Sequence, residues 1–192
     1  MAYLIVGLGN PGREYSGTRH NVGFMAIDTL CQELGIRITR MQSRALVGNG
    51  LLEANKVILA KPQTFMNLSG QAVSGLVKFY KVSLEELIVI HDDIDLPLGT
   101  IRLRPSGGSA GQKGLASTMD YLGTNGFPRL RIGIGRPPGR MEAADYVLQN
   151  FAAGEQEILT EILERVSKAV QVFILDGIEA AMTQFNGALP ER

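Results

Sequence analysis

The segment Tyr3-Leu4-Ile5-Val6-Gly7-Leu8-Gly9-Asn10-Pro11-Gly12 decides how the rest of the chain is interpreted. Its apolar first half predicts a buried strand. Its second half predicts a tight turn in which glycines and a proline set the backbone and present Asn10 from the strand end to a cleft. The turn also matches Gly-x-Gly-x-x-Gly, the pattern of dinucleotide-binding folds.

Dinucleotide binding needs more than this glycine spacing. It needs a helix that starts at the last glycine and an acidic residue at the end of a second strand about twenty residues later. Here a polar loop, 13–17, follows the glycine, and Asp28 falls inside a predicted helix. The sequence therefore favours a turn that serves another kind of site.

Apolar periodicity divides the remaining chain into alternating strands and helices. Strands are predicted at 3–7, 45–52, 57–61, 87–91, 100–104 and 130–134, the second and third as a hairpin, and helices at 22–34, 69–80, 115–122 and within 155–185. Ser69 is the expected N-cap of its helix. This order predicts an α/β fold: a single globular domain over 1–192, a mixed twisted sheet flanked by helices, and a helical C-terminal segment.

Composition excludes several classes of protein. A chain of 192 residues with 45% apolar residues can bury a core without a metal or disulfide. Its one cysteine, Cys31, cannot form an internal disulfide, and no Cys/His cluster has zinc-site spacing, so a cytoplasmic location is expected. No stretch approaches the roughly 18 apolar residues of a membrane span, and no basic leader precedes the first strand, so neither a membrane protein nor a secreted one is expected.

The neutral total of 19 basic and 19 acidic residues conceals a segregation of charge. Residues 1–100 sum to zero, whereas residues 101–140 hold seven basic residues against Asp120 alone, a net charge of +6. Residues 141–192 hold nine acids against three basic residues, a net charge of −6. The basic block is either a solvated face or a phosphate-binding surface, since Arg and Lys contacts to phosphates give sequence-independent affinity for nucleic acid.

Candidate acid–base groups occur in two places. His20 closes the first loop, and a strand-end acid is available in His91-Asp92-Asp93-Ile94-Asp95. A histidine beside a carboxylate is fixed in one tautomer and is suited to take a proton from water near neutral pH. The three acids could instead bind a divalent cation such as magnesium, or brace the turn that follows. His91, at the end of an apolar run, is expected to be structural.

The loop 61–70 has two interpretations. Phe65 and Met66 lie outside any periodic stripe, so they form either a hydrophobic staple ahead of the Ser69 cap or the wall of a pocket. In a pocket, Asn67 would offer its amide to a substrate carbonyl.

The glycine-rich loop 106–114, bracketed by Arg104 and Lys113, also has two interpretations. Such a loop can wrap a phosphate or lie over a site as a mobile lid. It lacks the Gly-x-x-x-x-Gly-Lys-Ser/Thr pattern, so it is not expected to bind a nucleoside triphosphate.

Taken together, these motifs resemble the bacterial-type peptidyl-tRNA hydrolase family, and the match runs from Leu4 to about Phe185. The segments that carry it are Gly7-Leu8-Gly9-Asn10-Pro11-Gly12 with Tyr15, Thr18-Arg19-His20-Asn21-Val22-Gly23, Lys61-Pro62, Thr64-Phe65-Met66-Asn67-Leu68-Ser69-Gly70, Asp92, Asp95-Leu96-Pro97, Gly99, the glycine-rich loop and Arg131-Ile132-Gly133-Ile134-Gly135-Arg136-Pro137. Agreement across so many linked motifs is not expected by chance.

The resemblance implies hydrolysis of the ester that joins a peptide to the 3′ ribose of tRNA, which recycles tRNA from stalled translation. Water would be the nucleophile, and no metal or other cofactor is implied. His20 would be the general base, and Asp92 would orient it and stabilise its protonated form. Asn10 and Asn67 would hold the peptide end, and Asn10 matches the family position associated with rejecting aminoacyl-tRNA that has a free amine.

The resemblance also implies the contacts with tRNA. Tyr15 and Phe65 match positions that line the site and contact the tRNA end, and Met66 belongs to the same motif as Phe65. Arg104 and Arg131, in the basic block, become expected phosphate contacts. The expected partner is the acceptor arm and 3′ end of peptidyl-tRNA, with no membrane, and the expected state is a monomer.

One position departs from the family pattern, and one rival function remains. The family usually has His-Asn after the glycine-rich loop, where this chain has Gln112-Lys113. A charged Lys113 cannot accept a hydrogen bond as asparagine does, although it could pair with a phosphate, so activity or substrate preference could differ.

Some relatives act as RNA-binding partners in splicing complexes rather than as hydrolases, but the presence of both His20 and Asp92 argues for the enzyme.

Overall fold

The computed structural model describes residues 1–191, so Arg192, the last residue of the predicted domain, lies outside them. Within these residues one eight-stranded sheet has the order β2-β3-β4-β1-β5-β7-β6-β8. The strands are β1 (Ala2–Gly7), β2 (Arg40–Gln42), β3 (Ala45–Leu52), β4 (Asn55–Pro62), β5 (Leu87–Asp93), β6 (Thr100–Arg104), β7 (Arg129–Gly133) and β8 (Gly187–Ala188). The four central strands β4, β1, β5 and β7 are parallel, and the strands outside them are antiparallel, which confirms the predicted mixed sheet.

Helices cover both faces of this sheet. They are α1 (Val22–Leu34), α2 (Ser69–Tyr80), α3 (Lys113–Leu122), α4 (Ala143–Val147), α5 (Gln156–Asp176) and α6 (Ile178–Phe185). On β1, Ile5 faces the core beneath α1 and α5, whereas Leu4 and Val6 face the core beneath α2 and α3. This alternation follows from the two-residue period of a strand. The helices on both faces of the sheet confirm the α/β class, and α5 and α6 confirm the helical C-terminal segment.

The first glycine of the opening turn allows β1 and α1 to pack closely. A Cβ atom added at Gly7 would lie 2.1 Å from the carbonyl oxygen of Gly23, near the start of α1. A Cβ atom at Gly23 would lie 2.6 Å from the carbonyl oxygen of Ile90 in β5. The absence of side chains here brings the start of α1 directly over the carboxyl ends of β1 and β5.

The prediction that Ser69 caps α2 is wrong. A 3₁₀ turn over Met66–Leu68 leads into the helix, Leu68 holds the cap position, and the Ser69 hydroxyl donates to the Met66 carbonyl instead. The short elements β2, β8 and α4 were not predicted. No helix within residues 1–191 has both the length and the apolar character needed to cross a membrane.

Candidate active site

The parallel pairing of β1 and β5 brings together residues that are far apart in sequence. Gly7 at the end of β1 lies beside Ile90 in β5, so the loop after β1 and the acids that end β5 meet at one edge of the sheet. There the Nδ1 atom of His20 lies 2.8 Å from the Oδ2 atom of Asp92. The Asp92 side chain is almost fully buried, whereas that of His20 retains 13% exposure.

This contact determines which nitrogen of the His20 ring carries the proton. A carboxylate oxygen accepts hydrogen bonds, so Nδ1 of His20 carries the ring proton and donates a hydrogen bond to Asp92. The second ring nitrogen, Nε2, then holds a lone pair, and His20 lines a cavity at this edge of the sheet. The pair can therefore take a proton from a molecule bound in that cavity.

The opening turn is held by reciprocal hydrogen bonds between two asparagines. The backbone N–H of Asn10 donates to the Asn21 side chain at 2.8 Å, and the Asn21 amide donates back to the Asn10 carbonyl at 2.9 Å. The Oδ1 atom of Asn10 accepts the backbone N–H of Met66 at 2.8 Å. The Asn10 Nδ2 donor is left available, and Asn10 lines the same cavity as His20.

The cavity has a volume of about 550 Å³ and opens at the carboxyl end of the sheet. Its walls combine the His20–Asp92 pair with three segments: the loop before α2, the glycine-rich loop with the start of α3, and α4. The lining residues are Asn10, His20, Phe65, Met66, Asn67, Asp92, Asp93, Ile94, Ser109, Ala110, Gly111, Gln112, Lys113, Ala143, Ala144, Val147 and Leu148.

Seven of the ten predicted site residues line this cavity: Asn10, His20, Phe65, Met66, Asn67, Asp92 and Lys113. Phe65 is 58% exposed and Met66 is buried, so Phe65 does not act as a hydrophobic staple, and both form the wall of the pocket. Tyr15 ends a 3₁₀ turn outside the cavity lining.

Arg104 and Arg131 also lie outside the cavity, on neighbouring strands. In the register of β6 and β7, Arg102 lies opposite Arg131 and Arg104 lies opposite Arg129. We call these four residues the arginine face. Because the alternate residues Ile101, Leu103, Leu130 and Ile132 point into the core beneath α5, the arginines share the opposite side of the sheet.

The members of the arginine face differ in how accessible they are to solvent. Arg129 is 1% exposed and donates to the carbonyls of Phe127, Gly107, Gly108 and Asn125. Burial and the nearby Arg131 lower the pKa of Arg129 to about 10. Arg129 therefore anchors the glycine-rich loop, and it belongs neither to the solvated face nor to the phosphate-binding surface that the sequence predicts for the basic block.

The acids after Asp92 are held by arginines rather than gathered around one point. The Nε atom of Arg131 lies 2.5 Å from the Oδ2 atom of Asp93, and Arg136 pairs with Asp95. Asp93 also accepts the backbone N–H of Asp95 at 2.8 Å, which braces the chain where it leaves β5. Within residues 1–191, no group of three or more His, Cys, Asp or Glu side chains is placed to hold a metal ion.

His91 occupies a different environment from His20. It is 1% exposed, its Nδ1 atom lies 2.8 Å from the Asp92 carbonyl oxygen, and it does not line the cavity. Burial lowers the pKa of His91, which favours the neutral ring. These contacts suit a structural histidine.

Sequence patterns did not single out Gln112 as a site residue. Its Nε2 donates to the Oδ1 atom of Asp92 at 3.0 Å, and its Oε1 accepts the backbone N–H of Leu115 at 2.7 Å, which makes it the N-cap of α3. The Ser/Thr/Asp/Asn rule for N-caps does not include glutamine. The available signals were its place at the junction of a glycine-rich loop and a helix and its departure from the histidine usual in the family that the sequence resembles.

Arg19 was also missed as a support of the site. Its guanidinium lies 4.6 Å from the ring centre of Tyr146 and 5.1 Å from that of Phe151, and it forms an ion pair with Glu155 at 2.9 Å. Burial alone would raise the pKa of Glu155, but the hydrogen bonds from Arg19 and the Ala152 N–H outweigh it and lower that pKa. These contacts tie the loop of His20 to α4 and to the start of α5.

Comparison with known proteins places this chain in a family. The family model described as peptidyl-tRNA hydrolase matches residues 4–192. The chain is 48% identical to the peptidyl-tRNA hydrolase of Chloroflexus aggregans over 96% of this chain and 98% of that protein, and 50% identical to that of Caldanaerobacter subterraneus over 96% and 100%. The crystal structure of peptidyl-tRNA hydrolase from Acinetobacter baumannii superposes with a TM-score of 0.92 at 36% identity, covering 99% of this chain and 97% of that one. With a match over nearly its whole length, the chain belongs to the peptidyl-tRNA hydrolase family.

Proposed function

We propose that this chain hydrolyses the ester bond of peptidyl-tRNA, with His20 as the general base that activates water. Membership of the family supports the reaction. The observation that supports the base is the 2.8 Å contact between His20 Nδ1 and a buried Asp92 carboxylate at the wall of the cavity. It leaves Nε2 as the one ring atom able to accept a proton.

The proposed reaction follows from that geometry. His20 Nε2 takes a proton from water as the water oxygen attacks the ester carbonyl carbon, and the carbonyl oxygen becomes an oxyanion. Collapse of this intermediate breaks the bond to the 3′ oxygen of the ribose, which receives the proton back from His20. The products are a peptide with a free carboxyl group and a tRNA with a free 3′ hydroxyl. Asp92 stabilises the imidazolium between the two steps.

Asn10 and Asn67 are proposed to bind the peptide end. The Asn10 Oδ1 atom is occupied by the Met66 N–H, so its Nδ2 group is the part available to donate to a peptide carbonyl. A free ammonium group cannot accept that hydrogen bond, which gives a physical reason for rejecting aminoacyl-tRNA with an unblocked amine. Phe65 and Met66 supply an apolar wall beside these polar groups.

Cationic side chains on one side of the cavity are proposed to bind the acceptor arm. Lys113 is exposed at the start of α3 and lines the cavity, where it can reach a phosphate at the 3′ end. Arg104 and Arg131, on the arginine face, would contact phosphates further along the acceptor stem. Tyr15, in the loop between β1 and α1, would lie against the tRNA end.

We also propose that the chain acts as a monomer in the cytoplasm and recycles tRNA from stalled translation. Sedimentation of the purified protein tests the oligomeric state, and a dimer at micromolar concentration would contradict it.

The proposed function is tested by incubating purified protein with N-acetylated aminoacyl-tRNA and following release of the blocked amino acid. Release of this substrate, with little release from the same tRNA carrying a free amine, is expected. Binding of tRNA without any release would contradict the proposal and would favour an RNA-binding role instead.

A further inference from the structure

Gln112 connects the Asp92 carboxylate to a helix. It is 8% exposed and lies directly before α3. Its amide has two different partners: Oε1 accepts the Leu115 backbone N–H at 2.7 Å, and Nε2 donates to Asp92 Oδ1 at 3.0 Å. Because a backbone N–H requires an acceptor and a carboxylate requires a donor, the two partners fix which way the amide points.

Asp92 is consequently held from two sides. Its Oδ2 atom receives the hydrogen bond from His20, and its Oδ1 atom receives the one from Gln112. A carboxylate bonded at one oxygen can rotate about its Cβ–Cγ bond, but one bonded at both oxygens to fixed groups cannot. The position of the His20 ring therefore depends on Gln112 through Asp92.

Packing around Gln112 leaves its amide little freedom to move. Its Nε2 atom lies 3.2 Å from the sulfur of Met66. A Cβ atom added at Gly114 would lie 2.5 Å from that sulfur and 3.1 Å from Gln112 Oε1, so only glycine permits this approach. The amide is thus confined between the Met66 loop and the first turn of α3.

The donor that Gln112 provides is permanent. An amide neither gains nor loses a proton near neutral pH, whereas the groups around Asp92 include His20, His91, Asp93 with its partner Arg131, and Lys113 on α3. The hydrogen bond to Asp92 Oδ1 is therefore present whatever the protonation of its neighbours.

We infer that Gln112 is a positioning residue for the hydrolysis: it locks Asp92, and through Asp92 it holds His20 in the orientation that activates water. This inference rests on the proposed role of His20 as the base. It assigns one residue two separable tasks, the capping of α3 and the orientation of Asp92.

Two short polar substitutions separate these tasks. Gln112→Ser and Gln112→Asn keep a side-chain oxygen that can cap α3, but neither side chain is long enough to cap the helix and reach Asp92 together. The thermal midpoint of both variants should therefore stay close to that of the parent protein. The single-turnover rate of release from N-acetylated aminoacyl-tRNA should fall about tenfold, with KM changed less than about twofold, because orientation and not binding is lost.

A double-mutant cycle with Asp92→Ala tests whether Gln112 acts through Asp92. The same Gln112→Ser change should have almost no effect on the single-turnover rate in the Asp92→Ala background, because there is no carboxylate left to orient. An equal fall in both backgrounds would overturn the inference, as would parent-like rates in both Gln112 variants.

His20→Ala, measured in the same assay, separates this inference from the proposed function. If His20→Ala is inactive and the Gln112 variants match the parent protein, the positioning role alone is wrong. If His20→Ala keeps the parent rate, the proposed base is wrong and the role of Gln112 falls with it.

Discussion

The His20–Asp92 pair and the arginine face lie close together in the fold but are built in opposite ways. The pair joins residues 72 positions apart, buries the carboxylate, and satisfies both of its oxygens with fixed donors. The arginine face joins residues that are neighbours in register on two adjacent strands. Arg104 remains half-buried, whereas the charge of Arg131 is balanced by its ion pair with Asp93.

Under the proposed roles of the two regions, this difference reflects the different demands that proton transfer and polyanion binding place on a protein. A general base needs one orientation and a defined tautomer, which buried hydrogen bonds provide. Phosphate binding needs positive charge near solvent, and its strength depends on salt rather than on a single geometry. Changes at the pair should therefore alter the rate, and changes at the arginine face should alter affinity.

The largest effect is expected for His20→Ala. Loss of the proposed general base should lower the single-turnover rate about a thousandfold. The Kd for tRNA, measured by fluorescence anisotropy, should change less than about twofold, since no phosphate contact is removed. A parallel loss of rate and binding would show that the ring contributes to binding and would remove the contrast between the two regions.

Asp92→Asn should have the next largest effect on the rate. The amide keeps the shape of the carboxylate but lacks its charge, so the protonated His20 ring loses its stabilisation and the correct tautomer is no longer enforced. We expect a fall of about a hundredfold in the single-turnover rate, with KM little changed. A rate close to that of the parent protein would mean that Asp92 only supports the fold.

Arg131→Met should reduce stability as well as binding. The Asp93 side chain is 1% exposed and would lose the partner of its Oδ2 atom. Leaving such a group unpaired should lower the free energy of unfolding by about 1–3 kcal/mol, measured by urea denaturation. Arg136→Met is the matched control, because its pair with Asp95 is largely exposed and should contribute little. Equal losses in both variants would contradict this account.

Arg104→Gln should have the smallest effect, confined to binding. Removing one proposed phosphate contact should weaken tRNA binding several-fold at low salt and reduce the slope of log K against log salt by about one. The release rate at saturating substrate should not change. An unchanged salt slope would place the acceptor arm elsewhere on the surface.

Long periodic segments made much of the fold predictable from the sequence. The predicted helix at 22–34 matches α1, and Gly35 ends it in a left-handed conformation with φ of 64°. The predicted hairpin is β3 and β4 with one strand slightly longer. The elements β2, β8 and α4 have between two and five residues, which is too short for a period to be recognised.

The candidate site was predictable in its residues but not in its contacts. The motifs that contain Asn10, His20, Asn67 and Asp92 indicated a common site, yet only the pairing of β1 with β5 places His20 against Asp92. Charge counting could not distinguish the buried Arg129 from exposed arginines, because burial depends on tertiary packing.

The contacts of Gln112 were likewise not predictable from the sequence. In the sequence it is only a departure from the usual family residue, whereas in the structure it contacts Asp92 and caps α3. Contacts made through a side chain that reaches across a loop leave no periodic signal.

The most direct test of this account measures the single-turnover release rate and the tRNA Kd of His20→Ala and Arg104→Gln in one experiment, with N-acetylated aminoacyl-tRNA as substrate. We expect His20→Ala to lose the single-turnover rate and keep the Kd, and Arg104→Gln to keep the rate and raise the Kd. If rate and Kd change together in both variants, the division of labour between the His20–Asp92 pair and the arginine face is wrong.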